Sequence, residues 1–451
     1  MTGDAANAGM LEARFKLSER GTDVRTEVLA GFTTFLTMAY IVLVNPAILG
    51  QAGLPVASVA AATCFAAAFA SILMGMVANT PLALAPGMGL NAYFSFTVVQ
   101  QMGVPWPVAL GCVFLSGLAF LILTLTGVRQ LIVSVIPQHL FAAVAGGIGL
   151  FIGFIGLKDA GIVVANPATF VALGSVTEPG PAMALFGLVV IGSLAVWNVR
   201  AAMLIGIVLT TLAGWAMGQV HAPTEPYSLS ALTATAFKLD IPGVFGLSGE
   251  NAHRAGLGLV EILFVFLFVD LFDNIGTLVA VTKRAGLMDA AGKIPGLNRI
   301  LMTDAVATMV GAVAGTSTVT SYVESAAGVQ AGGRTGLTAV VCGLLFFATM
   351  FVAPYAQLVP LAATAPALVV VGGLMLLPLT EVDWDDPMAA IPAFLTVAMI
   401  PLTFSIANGL AFGITAHAFL KLIKGQARTS DWFLYLLAAL FVVRFMWMAA
   451  A

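Results

Sequence analysis

Long apolar stretches alternate with short polar or charged breaks along nearly the whole chain. A bilayer crossing needs roughly 20 apolar residues at 1.5 Å rise. On that basis the pattern predicts spans near 26–49, 57–78, 82–101, 107–126, 137–157, 182–198 and 201–219. A second series follows near 255–281, 299–314, 316–330, 335–354, 361–379, 387–405 and 407–423. A last apolar stretch, 432–449, carries Arg444 and is read as a helix lying at the interface in preference to a fifteenth span. The longest break, 220–254, separates two halves of seven spans. Seven is odd, so the halves run through the membrane in opposite directions. Inverted repeats of that kind place a substrate site at the midplane, between discontinuous helices.

Two interruptions fit that expectation, each third in its half. One is Leu82-Ala-Leu-Ala-Pro-Gly-Met-Gly-Leu-Asn-Ala-Tyr-Phe94; the other is Gly315-Thr-Ser-Thr-Val-Thr-Ser-Tyr-Val-Glu-Ser-Ala-Ala-Gly328. Pro86 and Gly87 forbid a regular helix over 82–87, and the β-branched run from Thr316 to Thr320 favours extended backbone. Short strands are therefore expected here, with helices starting near Gly89 and Ser321 and their N-termini aimed at the midplane. An offset of 233 residues carries Asn91 onto Glu324 (324 − 91) and Tyr40 onto Asp273 (273 − 40).

Composition agrees and narrows the choice. Of 451 residues, 60% are apolar and 9% charged, against about 25% charged in soluble domains. A soluble enzyme is excluded. A net charge of -3 without a dense basic face argues against nucleic-acid binding. Cys64, Cys112 and Cys342 lie in apolar runs without paired spacing, and the four histidines are scattered, so neither a metal site nor a cofactor is expected. Arg14, Lys16 and Arg20 near the start come without an apolar core, so no cleaved leader is expected. With the N-terminus inside, 14 Lys and Arg residues fall on inner segments and only Lys158, Lys238 and Arg254 outside, with Arg444 left over. That bias supports an even count, with both termini cytoplasmic.

Carboxylates inside spans carry the strongest chemical signal, since each costs roughly 2.5–3.5 kcal/mol at a helix centre. Span 8 holds Asp270 and Asp273, three apart and on one helical face, with Thr277 one turn on; Glu324 lies in span 10. A carboxylate there can accept ligand N–H groups and carry a proton. Packing against Ser, Thr or Asn is the plainer alternative, for Asp270 above all; Asp304 reads as an inner-end packing residue. Phe268 and Phe272 flank Asp270 and would suit a planar solute. His139 and His417 read as packing residues, and Glu381–Asp386 as a solvated inner loop. Gly146, Gly147 and Gly149 in span 5 fall opposite Gly372 and Gly373 in span 12, for close helix contact or for a sliding surface between domains.

The stretches Thr37–Pro46, Leu84–Ala92, Asp270–Leu278, Gly315–Ser325 and Gly332–Thr338, in that order, resemble the AzgA-type nucleobase permeases of the nucleobase:cation symporter-2 superfamily. The resemblance covers nearly the whole chain from Arg20 onward. It implies a seven-plus-seven inverted repeat with a core domain (25–126 and 255–354) and a gate domain (127–219 and 355–424). A tail (1–24), an outer loop (220–254) and a C-terminal tail (425–451) complete the chain. It also implies proton-coupled import of purine bases across the cell inner membrane, and often a homodimer. The stretch around Asn91 is closer to the guanine/hypoxanthine branch than to the adenine branch. Matching motif to motif carries substrate binding and proton coupling to Asp273 and Glu324, with Asp270 as a further proton carrier. Asn91, Gly89, Phe268, Thr318, Val323, Thr277 and Tyr40 would complete the substrate site. Thr277 stands where some relatives have a histidine, which leaves the proton route open. An anion transporter of the same fold is a weaker alternative, since acids stand where an anion would want a cation. A membrane-embedded enzyme lacks a convergent catalytic set.

Overall fold

A computed structural model describes residues 2–126, 137–220, 233–246, 257–288, 294–428 and 431–450; side chains at a few further positions, Asp273 among them, fall outside that description. Among the described residues, nine helices are long and apolar enough to cross a membrane. Span 8, Leu257–Arg284, is a helix of 28 residues, and shorter apolar helices, Ala202–Ala216 and Pro387–Thr403, occupy spans 7 and 13. Spans 3 and 10 are the exceptions. Together these account for the fourteen predicted crossings. Most of the 220–254 loop lies outside the described residues, as do Arg129, Arg254 and Lys293.

Spans 3 and 10 are broken where the sequence breaks them. Span 3 runs as strand β1 (Leu84–Pro86), helix Met88–Ala92 and a wider-wound helix Tyr93–Gln101. A hairpin of β2 (Val163–Asn166) and β3 (Phe170–Leu173) joins spans 5 and 6. Span 10 runs as β4 (Val319–Ser321) and helix Ser325–Gln330. β1 and β4 pair antiparallel, Leu84 opposite Ser321, Ala85 opposite Thr320 and Pro86 opposite Val319. The ladder continues at both ends, through Gly87 N–H to the Thr318 carbonyl (3.0 Å) and Tyr322 N–H to the Ala83 carbonyl (3.0 Å). Backbone groups that would be stranded in lipid are thereby satisfied inside protein. The second half-helix starts at Ser325, not near Ser321, because Ser321 is consumed by the strand. Paired strand starts lie 235 apart (319 − 84), two more than the expected offset. A shift of two keeps each residue on the same face of a strand. Gly315, at φ +92°, ends span 9 in the left-handed conformation and lets the chain turn into β4 beside Thr235.

The helices sort into two packed groups. Spans 1, 2, 4, 9 and 11 pack on one another, with spans 8 and 10 seated among them. Spans 5, 6, 7, 12, 13 and 14 form the other group. Gly149 and Gly372 meet within that second group: a Cβ on Gly149 would stand 2.7 Å from the Gly372 carbonyl. The paired glycines thus bring spans 5 and 12 into close contact. Glu27, buried at the start of span 1, accepts the backbone amides of Arg334 (2.8 Å), Thr335 (3.1 Å) and Thr338 (3.1 Å) and the Thr338 hydroxyl (2.6 Å). Its side-chain oxygens thereby cap the N-terminus of span 11, where the first-turn N–H groups need acceptors.

The C-terminal helix Trp432–Ala450 packs on the bundle, antiparallel along span 14 (Ile406–Ile423). Leu434, Leu437 and Phe441 are buried there.

Candidate functional site

Glu324 sits at the junction between β4 and the half-helix Ser325–Gln330, as the residue immediately before that helix. Tyr40 approaches from span 1, which is interrupted at Ala39 and Tyr40 between helices Val24–Met38 and Ile41–Gly50. Pro46 in the second of these helices supplies no N–H to the turn before it. The fully buried Tyr40 hydroxyl donates to Glu324 Oε1 at 2.7 Å. Glu324 itself is half-buried, and its neighbour Val323 is 53% exposed. Both strands beside it are wholly buried. The carboxylate thus stands between an exposed valine and two buried strands, at the start of a half-helix.

Span 8 packs against β4 and against the half-helix Ser325–Gln330, so the two carboxylate-bearing spans are neighbours. Asp270 and Thr277 are buried on span 8. Asp273 lies on the same helix, but its side chain falls outside the described residues. Asn274, one residue on, is fully buried.

The other predicted residues are placed less simply. Asn91 is buried, and its side chain is used at both ends. Its Nδ2 donates to Asn45 Oδ1 (2.5 Å) and its Oδ1 accepts from the Ser317 hydroxyl. Asn45 in turn donates to Thr63 (2.7 Å) and Thr316 (2.9 Å). This chain stitches span 1, span 2, the span 3 half-helix and the start of span 10 together. Thr318 lends its carbonyl to Gly87, and its buried hydroxyl has no hydrogen-bond partner among the described residues. Gly89 faces the second helix group, since a Cβ there would meet Ile148 of span 5 at 2.5 Å. Phe268 is buried, stacked on Phe264 with ring centroids 4.2 Å apart.

Asn45, Ser317 and Tyr322 were not singled out in the sequence, and Thr316 only as the start of a β-branched run. Tyr322 donates to the Pro86 carbonyl (2.5 Å), tying the end of β4 to the end of β1. A signal existed for Asn45, a lone amide in the apolar run Ile41–Gly50. Asp304 is fully buried in span 9. His139 and His417 face each other, centroids 4.9 Å apart, between spans 5 and 14, and His417 Nδ1 contacts the Met388 carbonyl at 3.3 Å. The acidic run 381–386 is largely exposed, and Asp386 caps the helix Pro387–Thr403.

A family model for xanthine/uracil permeases, described as a permease family, matches residues 25–412. The chain belongs to this permease family. Its members include the adenine permease AdeP of Escherichia coli strain K12, 45% identical over 449 residues that cover 100% of this chain and 99% of that one. The guanine/hypoxanthine permease PbuG of Bacillus subtilis strain 168 is 42% identical over 446 residues, 96% of this chain and 99% of that one. Among solved structures, the transmembrane domain of a cyanobacterial bicarbonate transporter, BicA, superposes with a TM-score of 0.64 at 15% identity, covering 85% of this permease and 97% of that chain. Murine Slc26a9, an anion transporter, gives a TM-score of 0.65 at 13% identity, over 89% of this permease and 69% of that chain. At such identities the likeness establishes the fold, which is the seven-plus-seven inverted repeat. The permease is a multi-pass membrane transporter.

Proposed function

We propose that this permease is a proton-coupled importer of purine nucleobases that works by alternating access. The observation that carries the reading is the half-buried Glu324, held by the Tyr40 hydroxyl at 2.7 Å beside the exposed Val323. A purine offers planar N–H edges, and a carboxylate with one oxygen already fixed accepts such an edge in a defined orientation. Asp273, one step along the neighbouring span, would supply the second acceptor, and Asp270 a further proton position. Backbone N–H groups at the start of the span 3 half-helix would face the base, as the first turn of a helix leaves donors free, whereas the Ser325 and Ala326 amides of span 10 already donate to the Tyr322 and Val323 carbonyls. Protonation of Glu324 on one side and its release on the other would couple the proton to the base.

Spans 1–4 and 8–11 would move as the core and spans 5–7 and 12–14 as the gate, following the two packed groups. Gly89 against Ile148 is the contact across which they would slide. The choice among purines stays between two named relatives of nearly equal identity, 45% for the adenine permease and 42% for the guanine/hypoxanthine permease. Asn91, whose surrounding sequence pointed to the oxopurines, has both ends of its amide tied into the scaffold, which weakens that pointer. An anion substrate fits less well, because the site is lined by acids.

The test is uptake of radiolabelled hypoxanthine and adenine into proteoliposomes, with and without an inward proton gradient, for the wild type and Glu324→Gln. Gradient-driven accumulation, competed by guanine and lost in folded Glu324→Gln, is the expected result. Wild-type kinetics in the variant would remove Glu324 from the site. Uptake indifferent to the gradient would remove the proton from the cycle.

A further inference from the structure

The C-terminal helix Trp432–Ala450 is pinned at two depths. Near its start, Lys421 of span 14 pairs with Asp431 at 2.8 Å. Near its end, Arg444 donates to Asn408 of span 14 at 3.0 Å and to Glu261 of span 8 at 2.5 Å, with the pair mostly shielded from solvent. Thirteen residues separate the two pins on each helix (421 − 408 and 444 − 431). The helices are therefore in antiparallel register over about 20 Å. Lys421 closes span 14 and Asn408 opens it, so the C-terminal helix returns through the depth that span 14 crosses.

Its surface excludes the interfacial reading. A helix lying in the interface needs a strongly polar face. Here the face toward the bundle carries Leu434, Leu437 and Phe441, and the opposite face carries the exposed Leu436, Leu440 and Val443. A helix apolar all round belongs within a bilayer or a core, and 19 residues span about 28 Å, close to the hydrocarbon thickness of about 30 Å. Arg444, the lone charge on it, is paired rather than left in lipid.

The contacts also join the two helix groups. Asn408 belongs to the group of spans 5–7 and 12–14, and Glu261 to the other. Phe441 packs edge-on against Phe264 of span 8, centroids 5.7 Å apart. On the same face, where spans 1, 3, 5 and 13 end, Gln51 donates to Asp159 (2.8 Å) and Thr97 to the Phe404 carbonyl (2.5 Å), each again linking one group to the other. We infer that the C-terminal helix is a fifteenth membrane-crossing segment that travels with the gate and straps it to span 8 through releasable contacts, Arg444 to Glu261 and Phe441 to Phe264. The crossing rests on register and surface alone; the strapping role rests on the alternating-access reading above.

Two measurements test the two parts. Single-cysteine variants Lys424→Cys and Ala451→Cys, labelled by a membrane-impermeant maleimide in intact cells and after permeabilisation, should react from opposite faces. Labelling of both from one face would overturn the crossing, whatever the substrate. For the strap, Phe264→Cys with Phe441→Cys is bridged by a short bifunctional methanethiosulfonate reagent. Bridged protein should lose at least nine-tenths of purine uptake and regain it on reduction, with the wild type and each single variant unaffected by the reagent. Full uptake in the bridged protein would show that the strap never releases and overturn this role. A wild type without purine uptake would instead sink the transport reading and leave the topology result standing.

Discussion

At the scale of single residues, the site rests on one short hydrogen bond and on a buried amide chain that holds it in place. Tyr40→Phe removes the donor to Glu324 while keeping the ring that fills its pocket. A hydrogen bond to a charged group contributes about 1.5–3 kcal/mol, so uptake efficiency should fall roughly ten-fold or more with unchanged amounts of folded protein. Kinetics of labelled purine uptake decide it, and a change under two-fold would make Tyr40 a packing residue. Asn45 has a different role. It donates to Thr63 and Thr316 and accepts from Asn91, all inside the bundle. Asn45→Ala leaves three partners short at once, and a loss of about 2 kcal/mol should lower the melting temperature of the purified protein by a few degrees. No drop in a thermal-shift assay would mean that the neighbours re-pair without it. The carboxylates were legible in the sequence because charge in an apolar span is costly. Asn45 was harder to read, because a lone amide in an apolar run is a weaker signal than a charge and its partners lie as far as 271 positions away.

At the scale of elements, the interruptions of spans 3 and 10 were readable because proline, glycine and β-branching are local properties. What could not be read was the pairing of β1 with β4, or that the strand would extend through Ser321 and delay the following helix to Ser325. Those follow from hydrogen bonds between segments more than 200 residues apart. The glycines behave similarly. Gly149 serves helix contact with Gly372, whereas Gly89, which looked like a substrate position, abuts Ile148 across the two helix groups. Gly89→Ala should therefore press a methyl group onto Ile148 and slow the cycle several-fold, with substrate binding little changed. Ile148→Ala in the same chain should restore much of the rate, since it removes the obstructing side chain. Failure of that rescue, with binding lost instead, would mean that Gly89 acts at the substrate site and not at the contact between the groups.

At the scale of the whole molecule, the polar ties between the helix groups are unevenly distributed. Gln51–Asp159, Thr97–Phe404 and Arg444–Glu261 lie on the face where span 1 ends, with Lys158 also over the Phe96 ring at 5.0 Å. Toward the other face, Arg200 to the Thr33 hydroxyl (2.9 Å) is such a tie among the described residues. If these ties hold one face closed, the exposed Val323 is reached from the opposite face. A cysteine at Val323 should then react with a small methanethiosulfonate reagent added from the face opposite Gln51, and purine should protect it. Gln51→Ala together with Thr97→Ala removes two of the ties, each a modest contribution of about 0.6 kcal/mol on average for bonds between membrane helices. Their combined loss of about 1.2 kcal/mol, twice that average, shifts a two-state equilibrium by about seven- to eight-fold. Reactivity of Val323→Cys from the Gln51 face should rise by that order, and from the opposite face fall. Unchanged sidedness would mean that the apolar contacts between spans 5 and 3, Ile148 on Gly89 above all, set the resting conformation instead of the polar ties.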